Sequence, residues 1–237
     1  MRLLALDATT TTCSVAYWSS GSVRVNREEI AGRRQAEILM PMVKTVMKEA
    51  AIEFEALDGI AVTQGPGSFT GVRIGLATAR GLALAAGLPL AGVTTLQALA
   101  AAAAAAAAPA ERLGHMILAL LDARRDQVYG QFFAADGAPA GAPFAAGVDS
   151  LPGRLAPICA PGTPLLLVGS GTPLAAPVLA AAGWQYDLSG SPPYPQAATV
   201  ATLIAARGFA NSAATAVAPL YLRKPGVSPV NSGPAGN

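Results

Sequence analysis

The sequence holds one histidine, two cysteines and few charges, and each scarcity removes a class of chemistry. With His115 as the sole histidine, no paired-histidine metal centre and no His-Glu-x-x-His zinc motif can be assembled. A Ser-His-Asp triad would have to recruit His115, and no Gly-x-Ser-x-Gly elbow accompanies it. Cys13 and Cys159 are far apart in sequence, which argues against a disulfide framework or a cysteine-based zinc site; both thiols are expected to be buried and reduced. Charged residues make up 13% of the 237, against about a quarter in ordinary globular chains. A net charge of +2 supplies no general attraction to nucleic acid, which needs clustered Lys and Arg. The pairs Arg33-Arg34, Arg124-Arg125 and Arg223-Lys224 are local and read as solvated surface.

Scarce charge does not here imply a membrane. Hydrophobic residues reach 52%, but much of that is alanine, which contributes little burial per residue. The most apolar window, 76–108, is interrupted by Arg80, Gly87, Pro89 and Gln97. No stretch provides about 20 strongly apolar residues. The opening Met1-Arg2-Leu3-Leu4-Ala5-Leu6-Asp7 reaches a carboxylate too early for a secretory signal, so a cytoplasmic protein is expected.

What is present is an alternation of strand and helix patterns. Leu3–Leu6 is a short apolar run ending in Asp7, followed by a threonine turn and the strand-like segments 13–18 and 23–28. Ile38, Leu39, Met42, Val43, Val46 and Met47 recur at three- and four-residue steps, an amphipathic helix. Pro41 lies in its first turn if the helix starts near Leu39, and otherwise kinks it. A buried strand at 60–63, a glycine-rich segment, a helix to about Gly87 and a strand at 90–93 follow. Nine alanines, 100–108, form a helix stopped by Pro109. Leu118-Ala119-Leu120-Leu121-Asp122-Ala123 then echoes Leu3-Leu4-Ala5-Leu6-Asp7-Ala8, a trace of internal duplication. A strand at 127–133, a largely irregular stretch at 136–164, a strand at 165–168 and helices at about 173–182 and 197–207 complete the second set. Two α/β lobes of related topology are expected, a plan that resembles the actin-like (ASKHA, ribonuclease H-like) fold, with mixed β-sheets flanked by helices. The boundaries expected are 1–108, 109–223 and a flexible tail, 224–237.

Gly65-Pro66-Gly67-Ser68-Phe69-Thr70-Gly71-Val72-Arg73-Ile74-Gly75 is the most informative segment. It is not a P-loop, since no Gly-Lys-Ser/Thr follows, and its glycines miss the Gly-x-Gly-x-x-Gly dinucleotide spacing. A tight turn capped by Ser68 or Thr70 is one reading. Gly71, Gly75, Ala79, Ala83 and Gly87 also lie at four-residue steps, forming a small-residue ridge along one helix face. Two interior glycines each cost about 1 kcal/mol relative to alanine, which implies a closely approaching second backbone. That backbone belongs either to the same lobe or to another subunit, with Met42 and Met47 offering an adaptable surface beside it.

Asp7 and Asp122 end corresponding strands. In an actin-like kinase or ATPase, such residues orient Mg²⁺-bound water and phosphate; capping a turn is the alternative for both. Gly169-Ser170-Gly171 is placed to approach an adenosine.

The runs Leu4–Asp7, Gly65–Gly75, Leu121–Arg125 with Val128-Tyr129, and Pro219-Leu220-Tyr221-Leu222-Arg223, in that order, resemble the TsaB (YeaZ) family of tRNA threonylcarbamoyladenosine biosynthesis proteins. The resemblance implies an inactive relative of TsaD, the threonylcarbamoyltransferase, with no cofactor of its own. Nucleotide and metal would belong to partner subunits. The implied partners are a TsaD-like protein in a heterodimer, a TsaE-like ATPase, tRNA through the complex, and a second copy when TsaD is absent. The implied interface uses helices at about Ala36–Ala50 and Phe69–Gly87, with Glu37, Ile38, Met42, Val46, Gly71, Gly75, Ala79 and Ala83 as contacts. Asp7, Asp122, Gly169 and Gly171 would be a vestigial nucleotide site. Many relatives carry His-Ser-Glu where this chain has Gln35-Ala36-Glu37.

Overall fold

A computed structural model describes residues 1–107, 114–160, 162–209 and 217–223. Two five-stranded mixed sheets organise them, in the orders β3-β2-β1-β4-β5 and β10-β9-β6-β7-β8. The first contains β1 (Arg2–Asp7), β2 (Thr12–Ser19), β3 (Ser22–Ile30), β4 (Gly59–Thr63) and β5 (Leu90–Val93). The second contains β6 (Met116–Arg124), β7 (Gln127–Phe133), β8 (Phe144–Gly147), β9 (Leu165–Val168) and β10 (Tyr186–Leu188). Read from their edges, the sheets have one topology. An antiparallel meander, β1-β2-β3 or β6-β7-β8, is followed by two parallel strands, β4-β5 or β9-β10. The six-residue echo thus marks the two central strands of a repeated unit.

The helices repeat as well, shortened in the second copy. Between β3 and β4 runs α1 (Gln35–Glu49), matched between β8 and β9 by a 3-10 turn and α4 (Leu151–Leu155). Between β4 and β5 runs α2 (Phe69–Ala86), matched by α5 (Thr172–Ala181). After β5 comes α3 (Thr95–Ala106), and after β10 comes α6 (Ala197–Arg207). The strands at 144–147 and 186–188 carry too few residues for a periodic signal; the first lies in the stretch read as largely irregular and the second in one left unassigned.

Each central strand is buried on both faces, which explains its unbroken apolar run. Leu4 and Leu6 of β1 point into the core beneath α1 and α2, while Leu3 and Ala5 point into a second core with Val200, Ala201 and Ile204 of α6. Likewise Leu118 and Leu120 of β6 face α4 and α5, and Ile117, Ala119 and Leu121 face Leu96, Leu99, Ala100 and Ala103 of α3. The alternation is the two-residue period of a strand written onto two cores.

This packing corrects the expected lobe boundary. A division at residue 108 separates the sheets but not the helices: α3 precedes it yet covers the second sheet, and α6 follows it yet covers the first. The lobes exchange their last helices, and α3 and α6 also touch one another. The small side chains of α3 let it lie close to both neighbours, Ala100 and Ala103 fully buried against the second sheet and Ala98 against the core that α6 shares with the first. Its N-terminus carries a capping box, Thr94 accepting from the Gln97 amide at 3.0 Å and the Gln97 side chain accepting from the Thr94 amide at 3.2 Å. The expected stop at Pro109 and the tail from 224 lie outside the described residues. Among the described residues no helix is long and apolar enough to cross a membrane.

Candidate functional site

The ends of β1 and β6 face each other across a cleft of about 730 Å³ between the lobes. One wall carries Thr9, Thr10, Thr11, Arg33 and Ser68; the other carries Asp122, Ala123, Arg124, Tyr129 and Ser170; Pro193 and Tyr194 of the β10–α6 connection close one side. Hydroxyls and two guanidiniums therefore dominate its polar lining.

Asp7 is not part of that lining. It is fully buried, and its Oδ1 accepts from the Thr9 amide at 3.3 Å, the Thr9 hydroxyl at 2.7 Å and the Thr63 hydroxyl. Thr95 in turn donates to Thr9 Oγ1 at 3.2 Å. One carboxylate oxygen thus ties together the ends of β1 and β4, the threonine turn and the start of α3. Burial pushes the Asp7 carboxyl up to about 6, an effect the Thr63 and Thr9 hydrogen bonds partly offset. The same burial, with the neighbouring Asp7 charge, pushes the Cys13 thiol up to about 12. Both cysteines are free and buried.

Asp122 does reach the cleft. Its Oδ1 accepts from the Arg124 amide at 2.7 Å and its Oδ2 lies 3.4 Å from Arg124 Nη1, closing a turn. Gly169 and Gly171 do not line the cleft as the expected adenosine contact. Gly169 has φ +104° and lies on the Leu120 carbonyl, while Gly171 lies against Leu120, Leu121 and Val128 and its amide donates to Leu120 O at 3.1 Å. Their lack of a side chain lets the β9–α5 turn pack on β6; only Ser170 between them faces the cleft.

The glycine-rich segment is likewise occupied within its own lobe. The Gly65–Pro66 peptide is cis, Ser68 N donates to Thr9 O at 2.7 Å, and the Ser68 side chain caps α2 by accepting from the Gly71 amide at 3.3 Å. A β-carbon on Gly67 would overlap the Thr9 carbonyl, and one on Gly71 the Ala8 carbonyl. Gly71, Gly75, Ala79 and Ala83 are all buried, facing the sheet. This settles the two readings of the ridge: the closely approaching backbone is β1 and its turn. On α1, Met42 and Val46 are also buried in the lobe core, Ile38 is half-buried against it and Glu37 is exposed. Six of the eight residues expected at an interface, Met42, Val46, Gly71, Gly75, Ala79 and Ala83, therefore face inward, because apolar stripe and small-residue ridge both report burial without naming what does the burying.

Sequence reasoning missed the outward faces. Along α2, Ala77, Gly81 and Leu84 are exposed and Ile74 and Thr78 half-exposed, with Leu84 85% accessible. The available signal was that α2 is apolar all round, with Arg73 and Arg80 its only charges. Along α1, Pro41, Lys44 and Thr45 are exposed and Met40 half-exposed. The helix starts at Gln35, so Pro41 sits in its second turn and leaves the Glu37 carbonyl without its helical donor. Gln35 is buried and donates Nε2–H to Thr10 O at 3.0 Å and Gly32 O at 2.9 Å, pinning the threonine turn to α1.

Among solved structures, a Pseudomonas aeruginosa protein described as similar to peptidase YEAZ superposes with a TM-score of 0.75 and 31% identity, over 94% of this chain and 99% of that one. The chain belongs to the TsaB (YeaZ) family. Escherichia coli TsaB, a tRNA threonylcarbamoyladenosine biosynthesis protein, is 38% identical over 129 residues, 54% of this chain and 53% of the relative. The chain spans about half the length of the curated TsaB relatives in such alignments. A family model described as TsaD, tRNA N6-adenosine threonylcarbamoyltransferase, matches residues 27–139. The ethanolamine utilization protein EutJ from Carboxydothermus hydrogenoformans shares the fold alone, with a TM-score of 0.52 and 13% identity over 85% of this chain and 89% of that one. The fold is the actin-like two-lobe α/β architecture, and within the TsaB family the two strand-terminal aspartates play unequal parts here, one buried and one in the cleft.

Proposed function

We propose that the chain is a subunit without chemistry of its own in cytoplasmic tRNA threonylcarbamoyladenosine biosynthesis. It pairs with a TsaD-like threonylcarbamoyltransferase, a TsaE-like ATPase joins the pair, and the complex transfers threonylcarbamoyl to the anticodon-adjacent adenosine of tRNAs reading codons that begin with A. Nucleotide and metal are held by the partner subunits, and the chain pairs with a second copy when the TsaD-like protein is absent. The observation that carries this reading is the likeness to the YeaZ structure over nearly the whole of both chains. The geometry supports it: a catalytic Asp7 would need access to the cleft, and its carboxylate is instead buried beneath Thr9 and Thr63.

The interface residues in this proposal are the outward ones: Glu37, Met40, Pro41 and Lys44 of α1 with Ile74, Ala77, Gly81 and Leu84 of α2. Gly81 has nothing within 4 Å of the position a β-carbon would take, so a partner helix can approach its backbone closely. Reconstitution tests the function. tRNA threonylcarbamoylation by the TsaD-like and TsaE-like proteins should require the chain, and the chain alone should not turn over nucleotide in the presence of Mg²⁺. Nucleotide turnover by the isolated chain that Asp122→Asn abolishes would overturn the reading.

A further inference from the structure

The β6–β7 hairpin that forms the second wall of the cleft is held in an unfavourable backbone conformation. Asp122 pairs with Val128 and Arg124 with Gln127, which leaves Ala123 as an extra residue in the ladder. Beyond it, Arg124, Arg125 and Asp126 have φ of 65°, 57° and 55°. Three successive non-glycine residues in the left-handed region disfavour this shape unless contacts elsewhere impose it. Two such contacts come from its own lobe: the Asp122 amide donates to Ser170 Oγ at 3.2 Å, and Asp126 O accepts from the Val148 amide at 3.0 Å.

A third comes from the other side of the molecule. Residues 217–223 run along the first lobe, where Val217 O accepts from Arg80 Nη2 at 2.6 Å and the Leu220 amide donates to Gln64 O at 2.7 Å. The Tyr221 hydroxyl accepts from Arg73 Nε at 3.1 Å, and its ring lies 5.2 Å from that of Phe69, over which the Arg73 guanidinium sits at 3.7 Å. At its far end the segment crosses to the second lobe, where Arg223 Nη1 donates to Ala123 O at 2.8 Å. The carbonyl it meets belongs to the extra residue of the bulge, and a charged donor makes the stronger kind of hydrogen bond to it.

We propose that residues 217–223 are an interlobe latch: anchored on α2 and the end of β4, the segment grips the bulge at Ala123 and holds the left-handed hairpin in place as the wall of the cleft. The cleft wall and α2 are then mechanically joined through a strap rather than through the two sheets, and release of Arg223 frees the hairpin to relax. This inference stands apart from the proposed partners, since it concerns the isolated chain.

Hydrogen–deuterium exchange on the full chain, read by peptide, tests it. Arg223→Ala should raise exchange across 122–128 about tenfold or more, the order expected on losing one charge-assisted hydrogen bond, and leave α2 within about twofold. Arg125→Gly added to that variant should lower hairpin exchange again, because glycine adopts the left-handed conformation without steric conflict. If Arg223→Ala does not fold, Arg223→Lys should give a smaller rise confined to the same peptide. Unchanged hairpin exchange in either variant, or a rise shared equally by all elements, overturns the latch.

Discussion

Gly71 of α2 lies directly on the carbonyl oxygen of Ala8, at the turn that follows β1, leaving no room for a β-carbon. One turn on, a β-carbon on Gly75 would stand 3.7 Å from the Ala8 side chain and 3.8 Å from that of Val62, an ordinary contact. The two glycines of one ridge thus serve different purposes. Gly71→Ala should destabilise the chain by about 1–3 kcal/mol through overpacking. Gly75→Ala should be neutral or stabilising by up to about 1 kcal/mol, since it removes the helix penalty of glycine. Urea melts of the two variants separate them, and equal effects would contradict the contact geometry.

Asp7 makes stability depend on pH in a particular direction. Its carboxyl is raised from 3.8 to about 6 by burial, so the native state binds the proton more readily than the unfolded one. Stability from this group is complete below the unfolded value and lost as pH rises through about 6. The loss between pH 4 and 7 amounts to about 2 kcal/mol. Asp7→Asn keeps an oxygen to accept from Thr9 and Thr63 and should remove this slope. The difference in unfolding free energy between wild type and Asp7→Asn, measured from pH 4 to 7, should change by that order; a constant difference would rule out the burial account.

Leu84, the most exposed large apolar side chain of α2, should matter to association and not to folding. Leu84→Lys exchanges two residues of similar helix propensity at a solvent-facing site, so the melt should move by less than about 0.5 kcal/mol. If the outer face of α2 meets a partner, affinity for a TsaD-like protein or a second copy should fall about tenfold or more, since a charge would be buried unpaired. Light scattering beside the melt decides this, and unaltered association removes Leu84 from the interface.

The alanine run of α3 divides by face. Ala100 is fully buried between α3 and the second sheet, whereas Ala105 is exposed. Ala100→Leu should cost about 1–3 kcal/mol by overpacking, while Ala105→Leu should change stability by less than about 0.5 kcal/mol. Thermal melts of both variants check whether this low-complexity helix is a structural wedge between lobes.

The apolar runs, the turn residues and the paired Leu-Asp-Ala strand ends were legible along the chain, because strand and helix periods are local properties. They determined the two repeated α/β units, the buried character of β1 and β6, and the helices now bounded at Gln35–Glu49 and Phe69–Ala86. Family resemblance, carried by the run from Gly65 to Gly75, was legible for the same reason. What sequence alone left open was which surface each pattern serves. A four-residue ridge of small side chains demands a near neighbour, but only the tertiary structure decided that this neighbour is Ala8 of the same lobe. It also decided that Asp7 is buried while Asp122 opens to the cleft, that α3 and α6 trade sheets, and that Arg223 reaches Ala123 across 100 residues of chain. Each of these is a contact between segments remote in sequence, and residue spacing carries no record of which remote segment will supply the opposing atoms.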